Sequence, residues 1–419
     1  MSGGPAGRPL LLLIGTGGRD YREYLLASIS TQYRVHLLMW AEPSWELDYL
    51  AGWTVLKDAT ETKDAADMIA VARDLAARGP LDGVLAWDEA RVLQAAKVAA
   101  ALGLPGGDPT AALRTRDKHL TREALASAGI PQARSVLVGS LAEALDAAGQ
   151  IGYPVVLKPR AMAASLGAVL AGGPDELAAQ FAFARDTTVP GAWRYDVGVL
   201  VEEYLTGPEI SVDSAVHGGR VFPMFVARKQ VGYPPYFEEV GHVVDAGDPL
   251  LADRGFLEMV QSVHTGLGFT DGMTHAELKL TPAGPKVIEV NGRLGGDLIP
   301  YLGLKASGID PGLAAAAVAC GREPAVTAER NLVGAVRFFY IDRDDTRIES
   351  VRFDDAALPK AVDQVVPLAK QGDVMSPPPK GTLSGRIAFA TALAETEQEC
   401  REALDAAEAA LTVSVGPAG

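Results

Sequence analysis

Apolar and polar positions change period along the chain in a regular way. Short apolar runs at 10–14, 35–39 and 84–87, the first closed by Gly15, predict buried parallel strands. Between them, 21–30, 65–77 and 92–102 repeat their apolar positions every three to four residues and predict helices, the last ended by Gly103. Strand and helix alternate to about residue 110, which predicts a doubly wound α/β unit. The pattern then shifts. Helices are expected at 117–128, stopped by Gly129 and Pro131, and at 141–148 and 177–185. Strands are expected at 135–138, 155–158, 199–204, 210–216 and 221–227. His217-Gly218-Gly219 closes a hairpin between the last two, and residues 281–285 close another between strands 276–280 and 286–290. Residues 163–173 form a glycine-rich loop and turn. Beyond Asn331, strands at 333–341 and 385–391 and a helix at 397–411 surround a loop broken by Pro377, Pro378 and Pro379. Residues 1–9 and the closing Gly416-Pro417-Ala418-Gly419 read as floppy ends.

Composition narrows the class. With 419 residues, and about 100–200 residues per domain, two to four domains are expected, with enough chain to bury a large core unaided. Cys320 and Cys400 are too few for a disulfide framework and suit a reducing cytoplasm. The net charge of −15 argues against nucleic acid or an anionic membrane as a general partner, while leaving room for a local cationic pocket. The run at 10–14 is too short to span a membrane, and the start lacks a signal-peptide layout.

Candidate chemistry follows. Gly15-Thr16-Gly17-Gly18 departs from a dinucleotide fingerprint, since position 20 is Asp; it reads as a tight strand-to-helix turn, with a ligand-facing turn or a nicotinamide site as lesser alternatives. Lys158 ends an apolar strand, where a cation is costly unless it meets an anion or snorkels outward. Lys118, taken alone, is an exposed helix lysine. The small residues around Ser165 and Gly167 suit either a phosphate-covering loop or a plain surface turn. Strand residues Glu202, Glu203, Tyr204 and Leu205 run into the Gly207-Pro208 turn and Glu209; free backbone there suits a planar base and a carboxylate suits sugar hydroxyls, the alternative being solvated edge charges. Glu277 and Glu289 stand where a hairpin puts both on one face, and Asn291 shares the face of Glu289. Two carboxylates and an amide oxygen make a hard-oxygen site for Mg²⁺, and like charges packed this closely call for a cation between them. Arg293 follows, suited to a transferring phosphoryl group.

Taken in order, Lys118, Lys158, the loop to Gly167, Glu202–Leu205, Glu209 and Glu277/Glu289/Asn291 resemble the ATP-grasp superfamily, over residues 114–308. The runs Asn291-Gly292-Arg293-Leu294-Gly295-Gly296-Asp297 and Pro235-Tyr236-Phe237-Glu238-Glu239-Val240-Gly241-His242 resemble the L-amino-acid ligase and carnosine-synthase-like carboxylate–amine ligases within it. The resemblance implies an N-terminal α/β domain at 1–112, an α+β ATP-grasp fold with a small subdomain at 113–200 and a large one with the metal site at 201–330, and an extra α+β C-terminal domain at 331–419. It implies ATP, with Mg²⁺ or Mn²⁺. Lys118, Lys158, Ser165 and Gly167 would contact phosphates, Glu202, Glu203 and Leu205 the adenine, Glu209 the ribose, and Glu277, Glu289 and Asn291 the metal. Arg293 and the backbone N–H groups of Gly295 and Gly296 would steady the reacting acyl phosphate. Glu89, Glu239, His242, Arg293 and Asp297 would bind substrate, Asp297 by shaping the first-substrate pocket, and Lys229 would reach toward phosphate. The loop departs from the family in having Ala163-Ala164-Ser165 where glycine is commoner. The implied activity joins a small-molecule carboxylic acid to an amine, most simply two amino acids, in a cytoplasmic enzyme that forms a homodimer. The alternatives are a carboxylase acting through carboxyphosphate and a non-catalytic ATP-binding regulatory protein.

Overall fold

The computed structural model describes residues 7–57, 65–187 and 198–416; residues 1–6 and 417–419 of the expected floppy ends lie outside the described residues. Four parallel strands in the order Gly52–Val55, Arg34–Met39, Leu10–Ile14, Gly83–Leu85 form the first sheet. Helices Arg19–Gln32, Ala66–Arg78 and Val92–Leu102 accompany it, giving the expected α/β unit. The edge strand Gly52–Val55 was not expected, because it is four residues long and leaves Trp53 exposed instead of burying an apolar run.

The next sheet is antiparallel, in the order Ser135–Val138, Val199–Glu203, Val155–Pro159, Val169–Ala171. Helices Leu141–Ile151 and Pro174–Asp186 cover it and close a core of its own around Val155, Leu157, Leu177 and Phe181. An eight-stranded sheet follows, ordered Gly284–Asn291, Gly272–Thr281, Glu209–His217, Arg220–Gly232, Glu238–Asp245, Val333–Phe339, Ala388–Ala394, Val362–Pro367. Both expected hairpins are present in it. Its last three strands come from beyond residue 331, so the expected boundary at 330/331 is crossed by one continuous sheet. A small sheet of Val374–Met375, Thr346–Phe353 and Leu411–Val415 completes the C-terminal part.

Leu13, Leu25 and Ile29 of the first unit pack in one buried cluster with Phe225 and Leu302 of the large sheet layer and Phe338 and Phe389 of the C-terminal strands. These three parts therefore share a core, held by the removal of apolar surface from water. The small antiparallel sheet of Ser135–Val138, Val199–Glu203, Val155–Pro159 and Val169–Ala171 keeps its own core and is joined to the large one by contacts that include the bridges Gln132–Val287 and Val169–Tyr236 and Phe183 against Tyr236, ring centroids 5.3 Å apart. A cleft lies between the small sheet and the hairpin end of the large one. Among the described residues, no helix is long and apolar enough to cross a membrane.

Candidate active site

The acidic hairpin sets one wall of the cleft. Antiparallel pairing puts Glu277 opposite Glu289 and His275 opposite Asn291, and all four line the cleft. Directly paired residues project from the same face of a sheet, so both carboxylates face the cleft. Glu277 Oε2 accepts from Lys229 Nζ at 2.8 Å, and its Oε1 lies 3.5 Å from His275 Nε2. Glu289 Oε1 lies 2.9 Å from Lys118 Nζ. The Asn291 amide is 3.1 Å from Glu289 Oε1 and 3.2 Å from Glu89 Oε2. With its NH₂ turned toward them it donates to both. Two carboxylates and an amide oxygen are the donor chemistry that a hard cation such as Mg²⁺ takes, so these residues fit it.

The opposite wall carries the lysines. Asp117 caps the helix Lys118–Ser127, accepting from the N–H groups of His119 and Leu120, and also pairs with Arg160. That cap holds Lys118 at the first helical position, where its ammonium meets Glu289 and the Met162 carbonyl. Lys158 ends its strand buried, 2.6 Å from Glu202 Oε2, while Arg122 Nε reaches Glu202 Oε1 at 2.7 Å. Burial alone would raise the Glu202 pKa, but Arg122 and Lys158 outweigh it and bring it down to about 2. Burial lowers the Lys158 pKa against the pull of Glu202. Both lysines line the cleft, and each holds a carboxylate. Ser165 and Ala164 also line the cleft, both at φ +56°. Gly167 lies off the lining: at φ +77°, a Cβ there would come 2.6 Å from Pro159 Cγ, so the glycine serves the loop's passage over Pro159.

Glu202, Glu203, Leu205 and Glu209 all line the cleft. Glu203 is held by Lys286 at 3.2 Å, and Glu209 by Lys229 at 2.8 Å and Lys279 at 3.0 Å. Lys229 thus meets Glu209, Glu239 and Glu277 at once. Burial opposes its charge, yet these three carboxylates raise its pKa well above the ordinary value.

At the far end the expected residues divide between the cleft lining and the layer behind it. Glu89 does not line the cleft; it holds Arg293, with Oε2 2.6 Å from Arg293 Nε. Gly296 lines the cleft, but Gly295 does not: its N–H donates to Asp213 Oδ2 at 3.0 Å and its carbonyl accepts from Arg22 at 3.2 Å. That N–H is already committed to a carboxylate and has nothing left for an oxyanion. Asp297 lines the cleft and is clamped by Arg386 in a two-point pair at 2.6 and 2.8 Å, which offsets its charge. His242 is fully buried behind the lining, with Nε2 3.1 Å from Glu239 and 3.5 Å from Asp297. Burial opposes its protonation, but Asp297 and Glu239 raise its pKa overall.

Sequence reasoning missed Arg122, Lys279, Asp213 and Arg386, and Lys229's place among carboxylates. A signal was available for three of these: Asp213, Lys229 and Arg386 are charges inside or beside apolar strand sequence, the same pattern that marked Lys158. The Gly15–Gly18 turn lies outside the cleft; Thr16 there bonds Glu46 at 2.8 Å and accepts from the Trp87 indole at 2.8 Å, which is a packing role.

Comparisons with known proteins agree on the kind of fold. Residues 151–300 match a family model described as an ATP-grasp domain. The chain is 31% identical over 350 residues to carnosine synthase 1 of Homo sapiens, covering 78% of this chain and 42% of that one. It therefore spans about two fifths of that relative's length. It is 30% identical over 308 residues to the phosphoribosylamine–glycine ligase of Allochromatium vinosum, covering 68% of each chain. A crystal structure of an L-amino acid ligase from Bacillus licheniformis superposes with a TM-score of 0.79 at 21% identity, over 98% of this chain and 99% of that one, which shows a shared fold.

Proposed function

The chain belongs to the ATP-grasp family, and on that premise we propose that it is an ATP-dependent ligase joining a carboxylic acid to an amine, most simply two amino acids. The observation that carries this reading is the direct opposition of Glu277 and Glu289 inside a cleft that also holds Lys118, Lys158 and Arg293. The names of the relatives, a carnosine synthase and a phosphoribosylamine–glycine ligase, are those of bond-forming enzymes and support it.

A carboxylate is a poor electrophile, so it must first be activated. Its oxygen attacks the γ-phosphorus of ATP, the bond to the bridging oxygen breaks, and ADP leaves with that electron pair. The amine nitrogen then attacks the acyl carbon, the C–O bond to phosphate breaks, and the surplus proton leaves with the products. Lys118 and Lys158 would face the phosphates across the cleft, and Arg293, fixed by Glu89, would meet the transferring group. Glu277, Glu289 and Asn291 would hold Mg²⁺, which when bound neutralises phosphate charge. The loop at 160–168 would cover the acyl phosphate from water. Glu203, Leu205 and Glu209 would receive the nucleoside, and Glu239 the amine end of a substrate. We place the enzyme in the cytoplasm, where ATP and amino acids are at hand.

The test is a phosphate-release screen with ATP, Mg²⁺ and paired amino acids, followed by product mass. Release of ADP and phosphate only when acid and amine are both present, with a product lighter than their sum by one water, is the expected result. AMP as product, bicarbonate as the required acid, or no turnover with any pair would overturn the reading.

A further inference from the structure

Beneath the cleft, the carboxylate of Asp213 touches two parts of the site at once. Asp213 sits mid-strand in Glu209–His217, fully buried, although its neighbours in the strand are mostly apolar or small. Its Oδ1 lies 2.5 Å from His275 Nδ1, and the other edge of that ring points at Glu277 Oε1, 3.5 Å from Nε2. Its Oδ2 accepts the Gly295 N–H at 3.0 Å. A Cβ at Gly295 would stand 2.9 Å from His275 Nδ1 and 3.1 Å from both Asp213 oxygens, so the glycine lets the loop close directly onto this pair. Arg22 holds the Gly295 carbonyl from the other side at 3.2 Å.

We propose that Asp213 is a positioning residue that sets two working parts by one carboxylate: through His275 it aims Glu277, and through Gly295 it fixes the loop that presents Arg293 and Gly296. A charge with no water around it is costly to bury unless it is paired, and here His275 and the Gly295 N–H are its partners. Partners just outside a metal-binding set commonly orient the residues that bind it, and their loss costs about 10–100-fold in affinity or activity. The two arms separate chemically. Losing the His275 arm should weaken the grip on the divalent ion. Losing the Gly295 arm should let the loop shift and expose the acyl phosphate to water.

This inference rests on the proposed ligase reading, and its test keeps the two apart. Wild type, Asp213→Asn and His275→Gln are compared by calorimetric titration of ADP at varied Mg²⁺, a readout that needs no turnover. Turnover is followed as the ratio of amide product to ADP. For Asp213→Asn the Mg²⁺ needed for half-maximal ADP binding should rise about tenfold, and product per ADP should fall below half. For His275→Gln the Mg²⁺ requirement should rise while product per ADP stays near the wild-type ratio. A purely structural role would lower the folded fraction and leave the Mg²⁺ requirement of the folded protein unchanged; that outcome, in either variant, overturns the proposal. Should Asp213→Asn fail to fold, Asp213→Glu, which keeps the charge but displaces both contacts, takes its place under the same two expectations. If wild type makes no amide from any pair, the ligase reading falls, while the Mg²⁺–ADP titration still decides the role of Asp213.

Discussion

Glu202 is a fully committed side chain in the cleft wall, holding Arg122 and Lys158 together with almost no solvent. Breaking a buried pair leaves uncompensated charge, so Glu202→Gln should destabilise the fold by about 3 kcal/mol in urea unfolding. Because the folded carboxyl titrates at about 2 against its ordinary 4.5, its contribution is complete above about pH 4.5 and is lost as pH falls toward 2. The variant should therefore show a shallower loss of stability over that window; an unchanged slope would count against the pairing. Glu289→Ala is expected to leave melting nearly unchanged and to reduce turnover by well over about a hundredfold, more than an outer partner costs. Residual activity near wild type would remove the metal assignment. At this scale the sequence was half legible. Lys158 declared itself because an ammonium ends an apolar run, whereas the partners of Asp297 and Gly295 lie 89 and 82 residues away and leave no local trace.

Among the elements, the acidic hairpin was readable because strand pairing has a period of two and a short loop fixes its register. The helix Pro311–Ala319 was not, since it is apolar nearly all round and carries no 3.6-residue contrast, and the nine-residue Ile299–Ser307 offers only about two turns of it. Arg254–Leu267 was missed despite clear periodicity and an Asp253 cap that accepts from Phe256 at 2.9 Å, an available signal left unread. The loop at 160–168 holds Ala164 and Ser165 in the left-handed region, where an ordinary residue is disfavoured by roughly 1–2 kcal/mol. Ala164 is exposed, so space is no obstacle there. Ala164→Gly should be nearly neutral, because relief of strain is offset by about 0.5–1 kcal/mol of added freedom in the unfolded chain. Ala164→Val, whose branched side chain resists that conformation, should lower stability by about 1–2 kcal/mol in thermal unfolding and raise the ATP concentration needed for half-maximal rate.

For the whole molecule, the alternation of strand and helix announced the first unit, and the order of motifs announced the grasp. What no local pattern revealed is that the C-terminal strands extend the large sheet and fill its core. A chain ending at residue 330 would leave the strand Glu238–Asp245 with an open edge and bare the cluster around Phe225 and Leu302. It should express as aggregate; a soluble, folded monomer by size-exclusion chromatography would show that the C-terminal part is dispensable.

The clamp of Arg386 on Asp297 gives that dependence a consequence for engineering. A chimera that borrows its final ninety or so residues from a relative brings a new cation, or none, to an acid it did not evolve beside. Transplants should succeed where the guanidinium and its carboxylate travel as a matched couple, and fail where only one of them is inherited.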